Sequence, residues 1–304
     1  MAPVIEKVVD GLTFAESPYW DANNQCLYFV DLMESTVYRY APRSKRKLRQ
    51  VKIENHKISM IIPVMERKNR FIIGLNNSIA VMDWNRKDSE VKSINKLYEV
   101  DIDYVNFFTG GKFDLTGRLW AGTTTDYGVS GNFRGKLYSF DEEGVVKCHR
   151  IGIGISNGIA FDYNNKKMYF TDSLSQRIDQ YDIDFNTGSL SNRQVIFSLY
   201  NHAEFDEDAI CGGMTIDKEG NLWVAVFESS RVYKINPRIP DTVLQILQFP
   251  NSQITSITFG GKHLDELYVT SAGIQGNMEE IHGCVYRVTG LDVKGVPADK
   301  GVVL

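Results

Sequence analysis

The chain contains 304 residues, of which 43% are hydrophobic, so it is long and apolar enough to bury a large core and is not disordered. Charged residues make up 24% and leave a formal net charge of -4 without an extended basic field, which argues against nucleic acid as a partner. The basic run at residues 43–49 (RSKRKLR) lies between strand-like segments, and we interpret it as a solvated loop.

Targeting signals and cysteine usage favour the cytoplasm. Residues 1–14 lack an apolar segment after a basic start, and no stretch approaches about 18 consecutive apolar residues. The Asn76-Asn77-Ser78 sequon is therefore not expected to be glycosylated. The cysteines are widely spaced and form no CxxC pair, as is typical of reduced thiols; they are Cys26, Cys148, Cys211 and Cys284. We expect a cytoplasmic protein that neither enters a membrane nor is secreted.

One pattern recurs six times along the chain, at intervals of about 45 to 55 residues. Each copy has a short apolar alternation, an Asp-containing turn, a strand rich in aromatic residues, a second turn and a third strand. In chain order the copies are residues 16–40, 59–84, 110–140, 156–183, 212–235 and 256–288. Repetition on this scale predicts one structural unit per copy.

The residues within each copy predict strands. Residues 222–226 (LWVAV) and 231–235 (RVYKI) alternate with period two and are rich in β-branched and aromatic side chains. The Asp-containing runs at residues 21–24, 114–117 and 217–220 are typical of tight turns and lack the full spacing of a calcium-binding loop. No helical period extends beyond a few residues, which disfavours an α/β fold.

These strands predict an all-β fold, a six-bladed β-propeller formed as a single domain by residues 1–304. A single copy cannot bury both faces of its small sheet, whereas six sheets packed around an axis cover one another. The strand-like residues 3–9, together with the apolar end at residues 294–304, are candidates for closing the ring by pairing.

In a propeller the first strand of each blade lines the central channel, so residues at the start of each copy converge. These starting positions are occupied by Glu16, Ser59, residues 109–111, Asn157, Gly212 and Ser256. Glu16 and Asn157 carry the oxygen ligands that a hard cation such as calcium or magnesium prefers. In the alternative interpretation, Glu16 caps a turn and Asn157 satisfies backbone groups at a bend.

Other catalytic arrangements have weaker support. The histidines show no paired metal spacing; they are His56, His149, His202, His263 and His282. There is no G-x-S-x-G or S-x-x-K motif of a serine hydrolase. Cys211 adjoins the predicted axis, but no histidine occupies an equivalent position, so we interpret this thiol as structural.

Several ordered motifs resemble one known family over nearly the whole chain. They are ESPYW at 16–20, GRLWAGT at 117–123, SNGIAF at 156–161, LSNRQ at 190–194 and MTIDKEGNLWVAVF at 214–227. They resemble the family of senescence marker protein, regucalcin, gluconolactonase and luciferin-regenerating enzyme. The segment VYRVTGLDVKG at 285–295 is similar to its insect branch, which includes the firefly luciferin-regenerating enzyme.

The resemblance implies a six-bladed propeller with one divalent metal on its axis, held by Glu, Asn and Asp, which hydrolyses sugar lactones such as gluconolactone. Glu16 and Asn157 match two of the metal ligands, but Gly212 stands where the family has the Asp that is also its candidate base. The catalytic residue is thus unassigned, and we expect binding of calcium, or of magnesium, manganese or zinc, to be weakened or absent. Asp206, Glu207 or Asp208 could replace the missing carboxylate, although a solvated acidic loop is the favoured interpretation.

The substrate-contacting motif also departs from the family. Its Arg-x-Asn-Asp-Gly-Lys sequence is replaced here by FFTGGK at residues 107–112. We therefore expect Phe107, Phe108 and Thr109 to contact the substrate, together with Asp126 as an acidic group. Such a pocket favours a flat or aromatic small molecule over a polyhydroxylated lactone.

Two functions follow from these observations. The first is a metal-dependent hydrolase of lactones or esters with altered specificity or weakened activity. The second is a non-catalytic binding protein for an apolar or aromatic small molecule in the axial pocket. A regulatory role through calcium or protein partners has no supporting feature in the sequence.

Overall fold

The structure is a computed structural model, and it describes residues 2–44, 47–87, 89–103, 105–125, 131, 133–202, 208–274, 282–299 and 301. Its first twelve strands are β1 (Val4–Leu12), β2 (Ala15–Asp21), β3 (Cys26–Asp31), β4 (Thr36–Tyr40), β5 (Leu48–Lys52), β6 (Ile58–Pro63), β7 (Arg70–Leu75), β8 (Ser78–Asp83), β9 (Ser93–Glu99), β10 (Phe107–Phe113), β11 (Leu119–Thr124) and β12 (Gly135–Phe140).

The second half of the chain has the same character. Its strands are β13 (Val146–Ile153), β14 (Ser156–Asp162), β15 (Lys167–Asp172), β16 (Arg177–Asp184), β17 (Ser189–Ser198), β18 (Ile210–Ile216), β19 (Leu222–Phe227), β20 (Arg231–Ile235), β21 (Val243–Gln248), β22 (Ile254–Gly260), β23 (Glu266–Ser271) and β24 (Gly283–Thr289). Short 3-10 helices of three residues each lie at Ser173–Ser175 and Leu199–Asn201. No helix among the described residues is long and apolar enough to cross a membrane.

The strands form six four-stranded sheets, and the fold class is the predicted all-β six-bladed β-propeller. Five sheets use four consecutive strands each, in the orders β2-β3-β4-β5, β6-β7-β8-β9, β10-β11-β12-β13, β14-β15-β16-β17 and β18-β19-β20-β21. The sixth has the order β1-β24-β23-β22, so the first strand of the chain completes the last blade. Each of the six sequence copies therefore corresponds to one blade.

Closure of the last blade agrees with one half of the expectation. β1 pairs antiparallel with β24, from Val4 opposite Thr289 to Leu12 opposite Gly283, so the N-terminal strand completes the blade. Among the described residues after β24, Gly295 pairs with Asp217 and Gly301 with Val64. An apolar pattern alone does not specify the partner of a strand.

The described residues fall into two compact units. One contains Met1–Ala15 and Asn157–Pro297, and the other contains Glu16–Ser156 and Ala298–Leu304. The first is built around two apolar clusters and the second around one, in which Trp84, Phe113 and Phe140 are fully buried. The single domain remains a prediction.

The predicted Asp turns are hairpins whose carboxylates bind the protein itself. The Asp114 carboxylate accepts hydrogen bonds from Thr116 N at 2.8 Å and from the indole of Trp120 at 2.9 Å. Asp217 accepts from Asn221 N at 2.8 Å and from the Trp223 indole at 3.0 Å. Because the oxygens are engaged in this way, these turns stabilise the fold and do not form calcium loops.

Candidate functional site

Irregular pairing marks the start of the first strand in several blades. The register shifts between Ile58 and Met60 in β6, between Phe108 and Gly110 in β10, between Cys211 and Met214 in β18, and between Ile254 and Ser256 in β22. These are the positions that the repeat marked as candidates for the site. β-bulges occur frequently beside active sites because they change the direction of a side chain.

Glu16 is the second residue of β2, and its carboxyl is buried. Burial raises the pKa of Glu16 to about 7, opposed by a hydrogen bond that Ser17 N donates to Glu16 Oε2 at 2.5 Å. Ser17 has a positive φ of 51°, an unusual conformation for a residue with a side chain. A buried carboxylate beside a strained residue is the kind of group that a bound cation stabilises.

Asn157 occupies the equivalent position in β14, in the other unit. Its Nδ2 donates a hydrogen bond to Ser173 Oγ at 3.2 Å, and the side chain is half-buried. This bond fixes the orientation of the amide and leaves its oxygen to act as an acceptor. The Asn157 side chain thus binds a side-chain hydroxyl.

Gly212 lies in a confined part of β18. A Cβ atom at this position would lie 2.4 Å from the carbonyl oxygen of Thr255 and 3.4 Å from that of Ala225. Thr255 is itself fixed, since its Oγ1 donates to the carbonyl of Ala15 at 2.6 Å. The position therefore lacks both the carboxylate and the room for any side chain without movement of the backbone.

The predicted substrate contacts differ in how they are held. Phe107 and Phe108 are both buried, and the ring of Phe108 packs edge-on against Phe140 at a centroid distance of 6.1 Å. The Thr109 hydroxyl donates to the carbonyl of Gly122 at 3.2 Å and also to that of Ser156. These bonds hold Thr109 against neighbouring backbone, and the substrate contacts remain predictions.

The structure describes only one of the predicted acidic residues. Asp126, Asp206 and Glu207 lie outside the described residues, whereas Asp208 is described and exposed. Within the part of the chain that the structure describes, no group of three or more His, Cys, Asp or Glu side chains could hold a metal ion. Burial raises the pKa of Cys211 to about 12, which agrees with a structural thiol.

Asp101 is a buried charged residue that the sequence analysis did not identify. Its Oδ1 accepts hydrogen bonds from Lys136 Nζ at 2.6 Å and from the Tyr138 hydroxyl at 2.7 Å. Its Oδ2 accepts from Asn106 Nδ2 and Thr123 Oγ1, both at 2.8 Å. Together these partners hold the pKa of Asp101 below its usual value despite burial. The only sequence signal was an acidic residue two positions after the end of β9, which is common in surface loops.

Comparison with known proteins identifies the family of this chain. The family model for the SMP-30/gluconolactonase/LRE-like region matches residues 14–273. The chain belongs to this family. Regucalcin of Danio rerio is 33% identical over 287 residues, covering 93% of this chain and 92% of the relative. Regucalcin of Homo sapiens is 32% identical over 294 residues, covering 92% of each.

Solved structures of family members agree with the fold. A luciferin-regenerating enzyme superposes with a TM-score of 0.92 at 40% identity, covering 99% of this chain and 100% of that one. A calcium-binding regucalcin of Agrobacterium tumefaciens superposes with a TM-score of 0.83 at 19% identity, covering 100% of both chains, and shows the fold alone.

The residues fit the family's cation only in part. Glu16 is a buried carboxylate, and Asn157 supplies an amide oxygen, both of which are ligands that hard cations accept. Gly212 supplies no ligand, and its crowded surroundings leave no room for one. Among the described residues, the side chain of the third ligand that the family resemblance implies is therefore missing at position 212.

Proposed function

We propose that this chain is a divalent-cation-dependent hydrolase of lactones or related esters, whose specificity has shifted toward substrates with an apolar or aromatic part. Membership of the SMP-30/gluconolactonase/LRE-like family supports the reaction class. The observation that carries the proposal is the buried Glu16 carboxyl, because ionisable groups whose pKa is strongly shifted by burial cluster at functional sites.

The proposed cation is calcium, with magnesium, manganese and zinc as alternatives, since a relative is described as calcium-binding. The candidate ligands are Glu16 and Asn157. When bound, the cation would polarise the substrate carbonyl and lower the pKa of an attacking water. Glycine at position 212 supports a weaker affinity than that of a site with three protein ligands.

The proposed change of specificity rests on the first strand of the third blade. Phe107 and Phe108 provide aromatic side chains where the family resemblance implies a guanidinium, and the Thr109 hydroxyl is engaged with backbone carbonyls. Neither feature favours a substrate with many hydroxyl groups. Asp126 is kept as a proposed acidic contact.

The test is hydrolysis of two lactones by the purified protein, after chelation and after addition of each cation. We expect cation-dependent hydrolysis of an aromatic lactone, dihydrocoumarin, at a higher kcat/KM than for gluconolactone. Glu16→Gln should abolish the cation dependence, and Glu54→Gln, at an exposed position in the same unit, should leave it unchanged. Failure of every cation to support hydrolysis of either lactone would contradict the proposal.

The crowding around Gly212 favours a second candidate, a non-catalytic protein that binds an apolar or aromatic small molecule in the axial pocket. The two functions differ in their need for a cation. Dihydrocoumarin binding that calorimetry detects equally with and without the cations, in the absence of turnover, would favour the binding protein. Binding strengthened by a cation, together with turnover, would favour the hydrolase.

We also propose a cytoplasmic location and an insect-like branch of the family. The four cysteines are all unpaired, which is typical of a reducing compartment. The similarity of residues 285–295 to the insect branch supports the second point.

A further inference from the structure

One outer strand of the sheets differs from the others in charge. Each sheet ends in a strand that lies outside the repeat copies, and these outer strands are β1, β5, β9, β13, β17 and β21. Among these described strands, five contain at least one Lys, Arg, Asp or Glu, whereas β21 (VLQILQ) contains none. Charged side chains on an edge strand hinder its pairing with another chain. β21 therefore lacks this common protection.

The free edge of β21 is accompanied by exposed aliphatic side chains. Leu244 is 50% exposed and Ile246 is 44% exposed, whereas Leu247 is buried. The pairing with β20 shifts register between Val243 and Gln245 and is regular from there to the end of the strand. β21 is the last strand of its sheet, so its other edge presents backbone donors and acceptors beside apolar side chains.

Further exposed hydrophobic residues lie at the junction before β21. The Asp241 carboxylate accepts hydrogen bonds from Ser198 N at 2.8 Å and from Asn201 Nδ2 at 2.7 Å. These bonds join the end of β17 and the 3-10 helix after it to the start of β21, within one compact unit. Tyr200, beside Asn201, is 68% exposed, and Ile239, two residues before Asp241, is 57% exposed. Exposed hydrophobic residues therefore occur both on the strand and at the junction.

Charged residues that neighbour β21 are bound within the chain. Arg231, opposite Gln248 in the ladder, donates to the Gln248 side chain at 3.2 Å. Arg238 donates to Asn221 Oδ1 at 2.7 Å and to the carbonyl of Glu219 at 3.0 Å. Because these guanidinium groups have partners on their own chain, the region favours an uncharged strand over a strongly charged ligand.

We propose that β21 is a self-association surface, at which it pairs antiparallel with β21 of a second copy of this chain. A two-fold axis brings identical segments together, so a strand with a net charge repels its copy whereas an uncharged strand does not. The same pairing through β5, for example, would place Arg49 and Lys52 beside a second basic strand. Pairing through β21 joins two four-stranded sheets into one sheet of eight strands.

The paired strands bury apolar surface as well as satisfying backbone groups. In the antiparallel pair, Leu244 and Ile246 of one copy pack against the same residues of the other. β21 is only six residues long, so the interface is small and the dimer is weak. We expect a dissociation constant on the order of 10 µM. The association does not depend on the proposed hydrolase activity.

Sedimentation velocity over a concentration series from about 1 to about 300 µM tests the proposal. A reductant is present throughout, so that the exposed Cys148 forms no disulfide between copies. We expect the unmodified protein to pass from monomer to dimer across the series. Ile246→Lys and Leu244→Lys each place like charges at the paired edge and should raise the dissociation constant about tenfold or more.

The matched control is Ile151→Lys, which places the same charge on a different outer strand, β13, at a residue that is 70% exposed. This variant should dimerise like the unmodified protein. Circular dichroism verifies that each variant is folded, and if one of the two β21 variants fails to fold, the other decides. The proposal is overturned by an unmodified protein that stays monomeric throughout, by a dimer that persists in the folded β21 variants, or by equal weakening in Ile151→Lys.

Discussion

Burial of the Glu16 carboxyl has a consequence for the free energy of unfolding. Its pKa is about 7 in the fold against an ordinary value of 4.5, so the folded chain binds more protons than the unfolded chain between these values. Protonated Glu16 therefore contributes its full stabilisation of the fold below pH 4.5, and this contribution is lost as the pH rises through 7. A bound cation would offset this loss by stabilising the charged carboxylate.

Glu16→Gln removes the titrating group while keeping the shape of the side chain. In chelator, we expect the stability of the unmodified protein relative to the variant to decline by about 2 kcal/mol between pH 5 and pH 8. Urea unfolding at the two pH values measures this difference. Adding calcium at pH 8 should stabilise the unmodified protein more than the variant.

The control for Glu16 is Glu54→Gln, which changes an exposed glutamate of the same unit. This variant should follow the unmodified protein at both pH values. If the free energy of unfolding changes equally with pH in Glu16→Gln and in the unmodified protein, the Glu16 carboxyl does not have a raised pKa in the fold.

Replacing Gly212 by the family's Asp is expected to lower the stability of the fold, because the position is crowded. The Thr255 carbonyl would lie 2.4 Å from any new Cβ, so both Gly212→Ala and Gly212→Asp should destabilise the fold by about 1–3 kcal/mol. Urea unfolding tests this, with Gly212→Ala separating the effect of the Cβ from that of the carboxylate. A stable Gly212→Asp that gains cation affinity would show that the surrounding backbone adapts.

The repeat predicted which segments form the first strand of each blade, whereas the site residues themselves stay predictions. Thr109 and Gly212 lie at shifts of strand register in β10 and β18. The ammonium of Lys57 over Phe107 was not foreseen, since it depends on the turn at Asn76, whose φ of 53° no residue pattern revealed. Contacts between distant segments depend on backbone geometry that a local pattern does not encode.

At the scale of single elements, Asp101 links the connection after β9 to β11 and β12. Its carboxylate binds Thr123 on β11 and both Lys136 and Tyr138 on β12. Asp101 also has a positive φ of 54°, so these bonds hold the backbone in a conformation that is otherwise unfavourable. One buried carboxylate thus positions the loop that leads into Phe107.

Asp101→Asn should therefore destabilise the protein by about 3 kcal/mol, because Lys136 loses its buried anionic partner. In addition, an amide NH2 group replaces one carboxylate oxygen and then faces other hydrogen-bond donors. Urea unfolding measures this effect. Asp103→Asn, two residues away and exposed, is the matched control. Equal stability of the two variants would mean that the buried bonds are replaced by water.

The outer strand of each blade was not predicted from the sequence pattern. Each repeat copy contained three strands, whereas each blade has a fourth, such as β9 or β21, with mostly half-buried or exposed residues. A strand that packs on one side only needs no strict apolar alternation, so its signal is weak. Inner strands such as β3 and β7 are almost entirely buried, and their signal was correspondingly clear.

At the scale of the whole chain, the order of the strands followed from repetition, but the manner of closure did not. Six copies were sufficient to predict six blades, because each copy supplies one sheet that must be covered by others. Of the two segments expected to close the ring, the N-terminal one completes the last blade, whereas the described residues Gly295 and Gly301 pair with Asp217 and Val64. β24 accepts β1 because its free edge adjoins the start of the chain, a relation that only the folded topology reveals.

Removal of residues 1–12 tests how far the last blade depends on this closure. Val9 and Leu12 of β1 are buried, and each side chain contributes about 1.5–3 kcal/mol on burial, so the deletion should lower the free energy of unfolding by about 3 kcal/mol or more. It also exposes the edge of β24, which should promote association between molecules. Urea unfolding and light scattering measure these effects, and a deletion of residues 1–3, which precede β1, is the control. If the longer deletion leaves both stability and particle size unchanged, the three strands β22 to β24 suffice to complete the blade.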